Sequence, residues 1–166
     1  MNNEAREVLI IGLRNAHAVE NQAIEIAEKQ ANALSDYPQV QARIQQHLEE
    51  TGRQKERLEE ALDILGETTS TMKDTALSTL GNLTAMANSM ADDAILKNSF
   101  ASYSFEHYEI AAYESLLELA ELAGETEIVR LLQQSLEEER AMANWLASRI
   151  RDVTRQYIEK RDRKAA

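Results

Sequence analysis

Residues 105–110 read FEHYEI, which sets Glu106 and Glu109 three apart inside a run that otherwise has the pattern of the buried side of a helix. The fold turns on why a core would accept both. Ser99, Tyr103, Glu106, Ile110, Tyr113 and Leu117 recur at helical spacing on one face, and Glu109 shares that face. A buried carboxylate left alone costs roughly several kcal/mol, so the two must be protonated, paired or bound to a cation.

Outward from this stretch the composition is that of an all-α chain. Its 166 residues include one proline and five glycines among abundant Ala, Leu, Glu, Gln and Arg, residues that lose little freedom in a helix. The breakers mark joints at Ser35-Asp36-Tyr37-Pro38, around Gly66-Glu67-Thr68-Thr69-Ser70, and at Gly124-Glu125-Thr126. Long helices are therefore expected near 3–33, 39–65, 92–122 and 127–160. Between the second and third, TSTMKDTALSTLGNLTAMANSMADD has small side chains and weak amphipathicity, and is expected to be a crossover carrying a shorter helix. Two short connections around one long one give a single domain over 1–166 with ferritin-like four-helix connectivity.

Helical phase brings further glutamates to the same interior. Leu13, Ala16, Ala23, Ile24 and Ala27 surround Glu20 at spacings of three, four and seven. Ile44, His47, Glu50, Gln54, Leu58 and Ala61 form the stripe of the second helix, and Leu131, Ser135, Glu138, Met142, Trp145 and Arg149 that of the fourth, with Glu139 close enough in angle to replace Glu138. An internal repeat supports the hairpin organisation: Gln45–Glu50 over Gln133–Glu138 matches at five of six positions, and the same offset lays Leu58 on Leu146. At nearly that offset Glu20 falls on Glu106.

Four or five carboxylates converging in a low-dielectric interior repel one another, and arginines on these faces are too few to pair them all. A pair of metal ions resolves the conflict, because carboxylates can bridge two ions while others cap each one. The expected ligands are Glu20, Glu50, Glu106, Glu109, Glu138 and His47, holding two metal ions, iron first and manganese second. The pattern departs from the usual Glu-x-x-His of di-iron bundles: Arg53 follows Glu50 at that spacing and Ala141 follows Glu138, whereas His47 and His17 precede Glu50 and Glu20 by three. His17, Gln54 and Glu139 remain alternatives. The competing reading makes these glutamates boundary residues that reach solvent at helix seams.

The segments AHAVENQ around Glu20, HLEET from His47, EHYEIAAY from Glu106 and LEEE from Leu136 resemble the ferritin-like family of bacterial stress-associated proteins that includes YciE and YciF. The resemblance implies a four-helix domain with a crossover helix, a dimetal site between the helices, and a homodimer. The Glu106-x-x-Glu109 pair is also similar to the arrangement in rubrerythrins, which reduce peroxide at a di-iron centre. This chain has no cysteine for a rubredoxin-type domain, so a redox cycle implies an external electron donor.

The same absence excludes disulfides, thiolate metal sites and cysteine nucleophiles. With 29 acidic and 18 basic residues the net charge is −11, which opposes nucleic-acid binding. No apolar run is long enough for a membrane span, and the N-terminal MNNEAREVLIIGL lacks the pattern of a secretory signal, so a cytoplasmic location is expected. Tyr103, Tyr108 and Tyr113 read as packing aromatics, Met72, Met86 and Met90 as packing thioethers, and the basic tail from Arg151 as a complement to the last helix dipole. The leading expectation is a di-iron or iron-manganese protein that reacts with oxygen or peroxide in stress protection. The alternatives are iron binding without turnover and a helical interaction module.

Overall fold

The computed structural model describes residues 2–68 and 93–165. They form four helices, α1 (Asn3–Ala33), α2 (Pro38–Ile64), α3 (Ala94–Ala123) and α4 (Thr126–Ala165). The boundaries follow local chemistry. Asn2 caps α1 by accepting from the Ala5 amide at 3.3 Å. Pro38 opens α2, where its missing amide proton costs nothing. Gly66 and Gly124 follow α2 and α3 with φ of 73° and 80°, the left-handed conformation that lets Glu67 and Glu125 amides reach back to Leu62 and Ala120 carbonyls at 2.9 Å each. The fourth helix runs five residues beyond the end expected from sequence.

Each hairpin packs antiparallel, and the hairpins pack so that α1 touches α2 and α3 while α4 touches α3 and α2. Contacts fix the directions. Along the α1–α3 seam, Arg6 meets Glu125, Tyr113 meets Glu20, and Ser102 meets Gln30. Arg6 also donates to the Leu65 carbonyl at 2.6 Å, so α2 ends beside the start of α1. Ile95, in contrast, packs with Leu34 and Tyr37 beyond the other end of α1. The connection from α2 to α3 thus joins opposite ends of the bundle, which is the ferritin-like crossover. The shorter helix expected within it lies outside the described residues.

Two apolar clusters fill the bundle. One holds Leu9, Leu13, Leu58, Leu62, Ile128, Leu132 and Leu136; the other, toward the opposite end, holds Ala31, Leu34, Ile44, Met142, Leu146 and Val153. Gly12 brings α1 close to α3, since a Cβ there would lie 2.6 Å from Leu116 Cδ2. Full burial of each Leu or Ile is worth about 1.5–3 kcal/mol, which lets the fold carry a costly polar layer between the clusters.

Candidate metal centre

That layer contains Glu20 of α1, His47, Glu50, Thr51 and Gln54 of α2, Glu106 and Glu109 of α3, and Ser135 and Glu139 of α4, all buried. His47 sits at its middle. Its Nδ1 is 3.1 Å from Glu50 Oε2, and its Nε2 is 3.2 Å from Glu106 Oε2 and 3.9 Å from Glu139 Oε2. One donor atom from each of His47, Glu106 and Glu139 lies within 4.8 Å of the other two. Gln54 donates to Glu139 Oε1 at 2.5 Å, and the Tyr113 hydroxyl donates to Glu20 Oε1 at 2.5 Å. Thr51 spends its hydroxyl proton on the His47 carbonyl at 3.0 Å.

The electrostatics are those of excess negative charge out of water. Burial pushes Glu20 up to about 7, with Glu106 and Glu138 adding repulsion and the Tyr113 hydrogen bond and His47 opposing it. Burial also drives Glu109 and Glu139 well above the usual carboxylate range, and each is pushed further by neighbouring glutamates. For His47 burial favours the neutral ring, yet Glu106, Glu50 and Glu139 outweigh it and hold the imidazole up at about 10. Glu50 takes the other side of that bargain: burial opposes its charge, but His47 and Arg43 bring it down to about 2. In the metal-free protein one imidazolium is thus the cation of the inner cluster.

One imidazolium is not enough. Glu20 Oε2, Glu109 Oε1 and Glu139 Oε2 are buried without a hydrogen-bond partner, and Glu106 Oε2 has the His47 ring 3.2 Å away. Three such atoms on three glutamates from three helices are unusual in an interior where buried polar atoms are ordinarily satisfied. A cation bound among them would satisfy them together. Two donors each about 2.1 Å from one ion are at most about 4.2 Å apart, and both His47 separations, to Glu106 at 3.2 Å and to Glu139 at 3.9 Å, fall inside that limit. Oxygen donors with one imidazole and no thiolate suit a hard or borderline metal ion rather than a soft one. The residues therefore fit a metal centre.

Of the residues expected from sequence, Glu20, His47, Glu106 and Glu109 are brought to this cluster. Glu50 lies at its edge, where Arg43 Nη1 and Gln46 Nε2 donate to it at 3.0 and 2.9 Å. Glu138 is half-buried and held by both terminal nitrogens of Arg57 at 2.8 and 2.9 Å, while its neighbour Glu139 faces His47. The repeat that aligns Glu50 with Glu138 thus gives both an arginine partner. His17 is engaged elsewhere, with Nε2 2.8 Å from Glu59 Oε1, and His107 packs edge-on against Tyr103. Tyr113, which reads as packing in the sequence, is the hydrogen-bond donor to Glu20; its place two turns from Glu106 on the same face is the signal that carried it.

Among the described residues no helix is long and apolar enough to cross a membrane. Residues 4–159 match the model of a family described as a domain of unknown function, DUF892. The chain is 32% identical over 142 residues to Protein YciF of Escherichia coli strain K12, covering 81% of this chain and 83% of that protein. A crystal structure of a protein from Xanthomonas campestris pv. campestris superposes with a TM-score of 0.80 at 30% identity, over 95% of this chain and 99% of that one. The crystal structure of the E. coli stress protein YciF gives a TM-score of 0.79 at 27% identity, over 91% and 97%.

Proposed function

The chain belongs to the DUF892 family, and from that membership and the geometry of the polar layer we propose that it is a dimetal carboxylate protein, with iron or manganese as the native metal, reacting with oxygen or peroxide in stress protection. The observation that carries the proposal is the buried convergence of His47, Glu106 and Glu139, one donor atom of each within 4.8 Å of the other two, next to Glu20 and Glu109, which each keep a buried oxygen without a hydrogen-bond partner. Two ions suit the cluster better than one, because the positive charge of two divalent ions would offset the carboxylates of Glu20, Glu106, Glu109 and Glu139 where one ion would leave an excess. The chemistry a metal pair held by these residues would supply is the transfer of electrons to the oxidant. With no cysteine in the chain, those electrons come in turn from an outside donor.

The chain's own residues hold and tune the site. Glu20, His47, Glu106, Glu109 and Glu139 are the proposed ligands. Glu50, charged throughout the physiological range, accepts from His47 Nδ1 and so turns Nε2 toward Glu106 and Glu139. Gln54 and Tyr113 each take one oxygen of a carboxylate and leave the other free. Glu138 and Glu50 flank the cluster, held by Arg57 and Arg43 respectively. The two apolar clusters on either side keep bulk water out.

Protein reconstituted anaerobically with iron should hold about two ions per chain by elemental analysis, and the reduced form should change its absorption on mixing with oxygen or peroxide. Retention of no metal would overturn the proposal, and metal without oxidation would reduce it to binding alone.

A further inference from the structure

A cavity of about 50 Å³ lies beside the metal centre, lined by residues from all four helices. Its inner end is formed by the buried His47, Thr51, Glu106 and Glu109. Its outer lining, Ile26, Gln30, Ser102 and Phe105, is half-buried along the α1–α3 seam, so the cavity leads from that seam to the carboxylates. The rest of the wall is Ala23, Ala27, Ile44, Ala101 and Met142.

Size and chemistry together select an occupant. With roughly 10–15 Å³ of such space per water molecule, the cavity admits only a few heavy atoms. An extended or aromatic organic substrate is too large. The carboxylates at the inner end disfavour anions. The hydroxyl donors on the wall are already spent, Thr51 on the His47 carbonyl at 3.0 Å and Ser102 on Gln30 Oε1 at 3.3 Å, and the His47 Nδ1 is engaged by Glu50. The acceptors at the inner end, Glu106 Oε2 and Glu109 Oε1, would be taken up as ligands once metal is bound, so in the loaded protein a peroxide molecule, which needs hydrogen-bond partners on both oxygens, is poorly served by this wall. An apolar diatomic loses nothing there.

We infer that this cavity is a dioxygen pocket: a short apolar passage from the α1–α3 seam that admits dioxygen to the Glu106 and Glu109 side of the centre and disfavours larger, anionic or strongly hydrogen-bonding molecules. The inference rests on the metal-centre reading and narrows it, naming dioxygen as the oxidant. Ala27 and Ala101 control the bore, because neither is a ligand and a larger side chain at either position fills the cavity.

The test uses the full-length, metal-free protein with methyl-labelled alanine, isoleucine and methionine, equilibrated under pressurised oxygen and then under nitrogen. Paramagnetic relaxation by oxygen should be several-fold stronger at Ala27, Ala101, Ile44 and Met142 than at Ala61 and Ile128 in the leucine-rich cluster. Ala101→Leu should abolish the difference, and Ala27→Leu, at a half-buried position, serves if the first variant fails to fold. In parallel, calorimetric titration with manganese should show metal affinity unchanged in the variants, while oxygen-driven oxidation of reduced iron-loaded protein slows by about an order of magnitude. Uniform relaxation across both apolar clusters, or relaxation at these methyls no stronger under oxygen than under nitrogen, overturns the dioxygen pocket while normal manganese binding leaves the metal centre standing. Absence of manganese binding by the unaltered protein overturns both.

Discussion

Gln54 on α2 donates a hydrogen bond to Glu139 Oε1 on α4 at 2.5 Å, and this single contact leaves Glu139 Oε2 free and facing His47. Gln54 itself is fully buried, so the bond is made out of water, where a polar group left unpaired costs about 1–3 kcal/mol. It holds in the core the one of two adjacent glutamates that faces the cluster, while Arg57 holds the other, Glu138, at the rim.

That division predicts unequal effects on α4. Glu139→Ala should remove most metal binding, whereas Glu138→Ala should retain more of it, and Glu56→Ala, at an exposed position, should change nothing. Gln54→Leu keeps the volume and loses the orienting bond, so metal affinity should fall about 10- to 100-fold, the usual effect of an outer-shell partner. Anaerobic calorimetry of the four variants checks this; equal affinities at 138 and 139 would show that Arg57 releases its partner on loading.

Glu50→Gln tests the histidine. The glutamate accepts from His47 Nδ1 and helps hold the imidazole up at about 10, so the substitution should lower the His47 pKa and weaken metal binding by about 10- to 100-fold. An NMR titration of the His47 ring that is identical in both proteins would reject the role.

The metal-free protein should be most stable in weak acid. Glu20, raised from 4.5 to about 7, contributes stability that is complete below 4.5 and lost as pH rises through 7. His47, raised from 6.5 to about 10, contributes stability complete below 6.5 and lost toward 10. Glu50, lowered from 4.5 to about 2, acts oppositely, losing its contribution as pH falls from 4.5 to 2. Melting temperature should therefore climb as pH is lowered from about 10 to about 4.5 and drop below that. A melting temperature that rises steadily from pH 5 to pH 9 would contradict the buried-carboxylate account.

Glu109→Gln removes one buried carboxylate that lies against Glu139, Glu20 and Glu106. Metal-free protein at neutral pH should gain stability on the order of 1 kcal/mol, because the variant has one fewer group to discharge on burial. Metal binding should weaken at the same time. Loss of stability in denaturant unfolding would mean that Glu109 is held by contacts the charge argument ignores.

Iron or manganese should stabilise the folded protein by mass action, adding about 2.7 kcal/mol at a free concentration one hundred times the dissociation constant. Thermal melts across a metal series should rise with the logarithm of concentration. Because the raised carboxylates must lose protons to bind, loading should release protons, measurable as a buffer-dependent heat.

The sequence by itself determined the helices, their joints and the inward set around FEHYEI. Sparse breakers, glycines able to take positive φ at 66 and 124, and apolar recurrence at three and four residues are local properties, legible without neighbours. Glu20, Glu106 and Glu109 sit alone on apolar stripes, so phase sufficed to turn them inward. On α4 it did not. Glu138 and Glu139 lie about 100° apart on a helix whose rows through Leu131 and Leu132 are both buried, so either could face the core. The decision came from across the interface, where α2 presents Gln54 to one and Arg57 to the other. Tyr113 was likewise settled by a partner on another helix: its spacing marks it as core, and only the approach of α1 turns its hydroxyl into the donor for Glu20. Helical phase is a property of one chain segment, whereas a buried polar atom is satisfied by whichever segment packs against it.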